Sequence, residues 1–157
     1  MLYESDGIVS INDEVTIENC YLMYNKLNSL FFFGKLPMGN HIKIIFDNSL
    51  KNAIGCTHIN NRNGYVSPLT NEYPDDIYYV ISLNSDDITD MECAMEVICH
   101  EMIHIWQWEE VDFSKYSGDY SWMNGHNKSF IAKMNTINLM AKMDYGLNLK
   151  VKLVRTD

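Results

Sequence analysis

Basic residues are scarce in this chain. Lysine and arginine total 12 against 21 aspartates and glutamates, giving a formal net charge of -9, so the overall balance does not favour a polyanion or an anionic membrane. The basic residues present, such as Lys26, Lys35, Lys43, Lys51 and Arg62, are scattered and never form the dense run of a phosphate-binding arm. No basic patch for DNA is visible. No apolar run approaches the roughly 20 residues that span a bilayer, and Met1 to Asp6 shows neither the basic start nor the apolar stretch of a secretory leader. The expectation is a soluble protein, cytoplasmic or otherwise intracellular, with no membrane partner. The cysteines Cys20, Cys56, Cys93 and Cys99 lack C-x-x-C spacing, which argues against a zinc ribbon and supplies no disulfide framework. They are expected to be reduced, buried small side chains. Internal repeats, linkers and low-complexity segments are also missing.

What is present suits one domain over residues 1–157: 46% of the residues are hydrophobic and 21% charged, enough for a single core. After Asn12 and Asp13, either able to cap a helix, apolar residues from Val15 to Phe33 recur with mostly helical spacing until Gly34 and Pro37 stop them. His41 to Phe46 and Ala53 to Ile59 read as strands, and the turn Asn60 to Gly64 leads into Tyr65-Val66, making a hairpin. Ile77 to Leu83 is dominated by β-branched and aromatic residues and is predicted as a strand. It leads directly into the next helix, so it is expected to border the cleft as an edge strand able to pair with an extended substrate.

From Asp90 to about Trp108, Met91, Ala94, Met95, Ile98, Met102, Ile105 and Trp106 form one stripe of a helical wheel, the packing face. A polar loop from Asp112 to Gly125 carries Tyr116, Tyr120 and Trp122, which suit a packed loop or a substrate-reading lid equally. A second helix is predicted over Ser129 to Asp144, with Phe130, Met134, Ile137 and Ala141 inward.

Within the first of these helices stands His100-Glu101-Met102-Ile103-His104, an H-E-x-x-H motif. Residues four apart on a helix lie one above the other, so His100 and His104 can hold one ion. Neutral imidazole suits zinc, and a catalytic zinc needs a third protein ligand and an open position for water. His126 is the best third ligand from the residues alone; Glu109, Glu110, Asp112 and Asp119 are carboxylate alternatives, though a charged loop is usually only solvated. The metal would acidify its water and polarise a carbonyl, while Glu101 would take the proton and return it to a leaving amine. The wheel places the histidine face, with Val97 and Trp108, away from the core stripe, so it is expected to be open to substrate. His41 and His58, in or beside strands, read as ordinary hydrogen-bonded histidines.

Taken with Phe32 to Pro37, Ala53 to Cys56, Ile81 to Asn84 and Gly125 to Phe130, the motif resembles the SprT-like zinc metalloprotease family, which includes the Spartan-like proteases of DNA–protein crosslinks. The resemblance covers most of the chain. Carried over by position, it implies His100, His104 and His126 as zinc ligands and Glu101 as the catalytic acid/base. Asn127 replaces a family glycine, a change Asn tolerates in left-handed or capping positions. The His104–His126 stretch is longer than in Spartan-like proteases, and the sequence lacks the C-terminal zinc ribbon of many relatives. The fold expected is α+β: an N-terminal helix on a small, mostly antiparallel sheet of about four strands, then the zinc helix and a C-terminal helix. The function expected is a zinc-dependent endopeptidase acting on protein substrates. DNA-bound or crosslinked proteins are implied by the resemblance only. The alternatives are a zinc peptidase with substrates unrelated to DNA and a zinc-stabilised binding module without turnover.

Overall fold

The first helix starts later than its upstream capping residues suggest. Helix α1, Ile17–Phe31, is capped by Thr16, whose hydroxyl accepts the Asn19 N–H at 3.0 Å. Asn12 and Asp13 sit upstream in a turn, where an Asp13 carboxylate oxygen accepts the Ser10 N–H at 2.8 Å and is thereby occupied. The helix ends as the sequence predicts. Phe33 (φ 56°) and Gly34 (φ 70°) turn the chain through left-handed conformations, and the Gly34 N–H returns to the Asn28 carbonyl at 3.0 Å.

The computed structural model describes residues 9–50, 53–62, 73–110 and 128–152, and the backbone of 65–66. These hold three helices and a small mixed sheet in an α+β arrangement. The strands are β1, Ile42–Phe46; β2, Gly55–Ile59; and β5, Tyr79–Leu83, in the order β1-β5-β2. A separate two-stranded ladder joins β3, Asn61–Arg62, to β4, Tyr65–Val66, so this hairpin forms inside the predicted turn, while the strand expected to share it, Ala53 to Ile59, pairs with β5 as β2.

Two expectations about the sheet change. One of its two ladders is parallel: β1 runs with β5, Ile42 opposite Tyr79, while β2 runs against it, Gly55 opposite Leu83. The strand predicted over Ile77 to Leu83 is therefore central and does not form the edge of a cleft. Five consecutive residues, Tyr79 to Leu83, are all buried, Ser82 among them, and a mostly apolar run of this kind suits a strand covered on both faces. The edge strand packed on the motif helix is β2. At the other edge, the Ile44 N–H is taken by the Tyr21 hydroxyl at 2.8 Å.

Helix α2, Met91–Glu110, starts after Asp90, whose carboxylate accepts the Cys93 N–H at 2.8 Å. Of the predicted stripe, Met91, Ala94, Met95, Ile98, Met102 and Ile105 are buried, while Trp106 packs against the core only in part. The opposite face is buried as well, because α1, the sheet and helix α3, Lys128–Asp144, all pack around α2. Val97, Cys99 and Ile103 are covered along with the motif itself, so the histidine face is enclosed over the described residues and does not stand open to solvent. A helix covered all round must satisfy its polar residues internally.

In α3, Phe130, Ile137 and Ala141 face the core as predicted, and Met134 packs against it in part. Gly146 (φ 63°) turns the chain after the helix, and Leu149 and Val151 then return to the core. Burying side chains of this size stabilises by about 1.5–3 kcal/mol each, which anchors the C-terminal segment beside the motif helix. The four cysteines are free thiols, as expected, but only Cys20 and Cys99 are buried; Cys56 and Cys93 are half-buried. Burial raises Cys20 to about 11, which keeps that thiol protonated and unreactive. No helix among the described residues is long and apolar enough to cross a membrane.

Candidate metal centre

His100, Glu101 and His104 come together in mid-α2, exposed by only 1%, 0% and 2%. One helical turn sets the two imidazoles above each other, ring centroids 5.3 Å apart. The Phe130 ring from α3 lies 4.7 Å from each of them, an apolar wall against both histidines. His104 also neighbours Trp108, at 6.2 Å and itself stacked on Tyr79 at 5.7 Å.

Each histidine is fixed by a different group. Nδ1 of His100 lies 2.9 Å from the main-chain carbonyl of Lys152. A carbonyl can only accept, so Nδ1 carries the proton and Nε2 keeps its lone pair. Nδ1 of His104 faces Oε1 of Gln107 at 3.4 Å. The Gln107 amide is itself oriented by its Nε2–H donating to the Ser129 hydroxyl at 2.8 Å, so His104 takes the same tautomer. Metal-binding histidines are commonly backed in this way, with one ring nitrogen donating to an acceptor and the other presented to the ion.

Glu101 is held from the sheet. The Thr57 hydroxyl on β2 donates to its Oε1 at 2.8 Å, and Gly55, two residues earlier on the same face, lets the strand come close. A Cβ at Gly55 would stand 2.8 Å from Val97 Cγ1 and 3.2 Å from Glu101 Oε2. Val97 is stiff at χ1 and yields little, so glycine is required there by proximity.

This donor set fits zinc in part: two imidazoles on one helix face, both in the tautomer that presents Nε2, with a carboxylate between them that the sheet holds. No third His, Cys, Asp or Glu joins them among the described residues. His126 lies outside those residues, as do Asp112, Asp119 and the aromatic group Tyr116, Tyr120 and Trp122. Of the other carboxylate alternatives, Glu110 is exposed. Glu109 is engaged elsewhere: Arg62 donates to both of its oxygens at 2.9 and 2.8 Å, and the Tyr79 hydroxyl donates to it too. Burial pushes the Glu109 carboxyl up, but these bonds outweigh it and hold it below the ordinary value.

A pocket of about 410 Å³ opens beside His100, lined among others by Ile54, Asp90, Glu92, Glu96, Val97 and Lys152. Burial raises the Glu96 carboxyl above its ordinary value. His41 and His58 take no part in this constellation. His41 donates to the Asp76 carbonyl at 2.9 Å and stacks on Tyr78; His58 follows Thr57 on β2 and so faces the opposite side of the sheet.

The groups that sequence reasoning missed are those backing the motif: Gly55, Thr57, Gln107, Ser129 and the Lys152 carbonyl. Gln107 is three residues beyond His104 on the same helix and was findable from spacing. A comparison with curated proteins finds no match. The model of the SprT-like family matches residues 20–152, from α1 to the residue whose carbonyl meets His100; the chain belongs to the SprT-like family, a family of the zinc metalloprotease type.

Proposed function

We propose that this chain is a zinc-dependent endopeptidase, with His100, His104 and His126 holding the metal and Glu101 acting as general base. The observation that carries this reading is the juxtaposition in α2: two histidines backed so that both Nε2 atoms are presented, and Glu101 fixed between them by Thr57. A structural zinc needs no such carboxylate. A bound zinc would supply Lewis acidity toward the scissile carbonyl and acidify a water molecule. Glu101 would take the proton from that water and hand it to the leaving amine. The Thr57 hydroxyl, donating to Oε1, holds the carboxylate in orientation, and Phe130 keeps bulk water from the imidazoles. The pocket beside His100 gives a substrate chain a place to lie. Its Asp90, Glu92 and Glu96 do not suit a phosphate backbone there.

The test is metal analysis with a proteolysis assay, with and without single-stranded DNA. Close to one zinc per chain and cleavage of an unfolded protein are expected; a chain that ignores added zinc would sink the reading. Cleavage that requires DNA assigns DNA-bound or crosslinked proteins as substrates, and cleavage indifferent to DNA assigns substrates unrelated to it. Zinc at one equivalent with no cleavage marks a zinc-stabilised binding module. In the same assay His126→Ala is expected to lose zinc and activity together, because two imidazoles hold zinc poorly. Unchanged zinc content in that variant moves the third ligand elsewhere.

A further inference from the structure

The reading of His100 as a zinc ligand leaves open what holds the carbonyl that orients it. That carbonyl belongs to Lys152, in an irregular segment that follows α3 and forms no part of the sheet. An irregular segment has no ladder of its own to fix a carbonyl direction. Besides His100, a side chain that binds its backbone is Asn138, in the middle of α3. Its amide nitrogen donates to the Val151 carbonyl at 2.9 Å and its amide oxygen accepts the Val151 N–H at 2.8 Å. This two-point contact imitates a rung of β-ladder and fixes the peptide planes on both sides of Val151. One residue later the Lys152 carbonyl meets Nδ1 of His100 at 2.9 Å. Asparagine is a weak helix former because its side chain competes for backbone partners, and here it binds the backbone of another segment. Leu149 and Val151 are buried at 3% each, so apolar packing settles the depth of the segment, while Asn138 settles its register and rotation.

We infer that Asn138 is a positioning residue of the metal site: through Val151 it aims the Lys152 carbonyl, which fixes His100 with Nε2 toward the metal. The role rests on the proposed zinc reading, yet it differs from simply tying down the chain end. A structural tie affects melting, whereas a positioning residue also affects the ligand itself.

The experiment measures Zn²⁺ affinity of the full chain by competition with a chromophoric chelator, well below melting, and the ring-nitrogen chemical shifts of His100 in ¹⁵N-histidine-labelled protein. Asn138→Ala is expected to weaken zinc binding about tenfold, the low end for partners that back a metal-bound histidine, with His100 losing its single Nδ1–H tautomer. Asn138→Asp keeps the acceptor for the Val151 N–H but lacks the donor, so it should fall between the two; it decides the matter if the alanine variant does not fold. Ile137→Val, next to it on α3 and in the core, controls for lost stability and should keep wild-type affinity. Wild-type affinity and tautomer in the Asn138→Asp and any folded Asn138→Ala protein would overturn the inference, as would an equal loss in Ile137→Val. Failure of the underlying zinc reading shows separately, as absence of zinc binding in the wild-type chain.

Discussion

Glu101 leans on the sheet, through the Thr57 hydroxyl and the close approach of Gly55 on β2, whereas His100 and His104 lean on the C-terminal part of the chain, directly through Lys152 and Phe130 and, by way of Gln107 on α2, through Ser129. One five-residue motif is thus backed by two parts of the molecule that are distant in sequence. On the proposed function, the separation means that the group proposed to transfer the proton and the groups proposed to hold the metal can be perturbed one at a time. Changes on the sheet side should alter turnover at constant zinc content; changes on the helix side should alter zinc binding first.

The largest effect expected is that of Glu101→Gln. Glutamine keeps the size of the side chain and can still accept from Thr57, but it cannot take and return a proton at neutral pH. Cleavage should fall by at least about a hundredfold, with zinc content and melting unchanged. Parallel metal analysis, thermal melting and cleavage assays decide it. Loss of zinc in this variant would erase the division between the two sides, and full cleavage would remove Glu101 as the base.

A smaller effect is expected on the helix side. Gln107→Ala removes the acceptor facing His104 Nδ1 and the donor to Ser129. The His104 contact is long at 3.4 Å, so the loss of zinc affinity should sit near the lower bound for such partners, about tenfold. Saturating zinc should restore most of the cleavage rate. A variant that binds zinc normally but turns over slowly would place Gln107 on the catalytic side of the comparison.

The two sides also differ in how far they could be read from sequence. The H-E-x-x-H core, its helix and the α+β class were legible because helix periodicity brings i and i+4 together without tertiary information, and Gln107 obeys the same local rule. Thr57 and Gly55 were not, since nothing near residue 57 announces that β2 will lie against α2. The same gap explains the misplaced strand: Tyr79 to Leu83 was readable as a strand, but its central position depends on pairing with Ile42–Phe46, far upstream. The cap of α1 shows the limit on a smaller scale, for Asn12, Asp13 and Thr16 are all competent caps and the Ser10–Asp13 turn decides among them. The acceptor for His100 was beyond reach for a different reason. It is a main-chain carbonyl, which every residue carries, so the identity of Lys152 encodes nothing about it.

The smallest effect expected is that of Thr57→Val, and it probes the comparison from the sheet side. Valine keeps the β-branched shape and the strand preference of threonine but loses the hydroxyl that donates to Glu101 Oε1 at 2.8 Å. Thr57 is 8% exposed and Glu101 fully buried, so water replaces that donor poorly, and a hydrogen bond to a charged group is worth roughly 1.5–3 kcal/mol in such places. Part of this is common to the resting and reacting states, because Glu101 carries its charge before it takes the proton. Only the orientational part should reach the rate. Cleavage is therefore expected to fall a few-fold, to at most about tenfold, through kcat, with zinc content and KM steady. The decisive measurement is kcat and KM beside a zinc titration for wild type and variant. A drop in zinc affinity with unchanged kcat would show that the sheet holds the metal ligands after all, and the division between the two sides would have to be withdrawn.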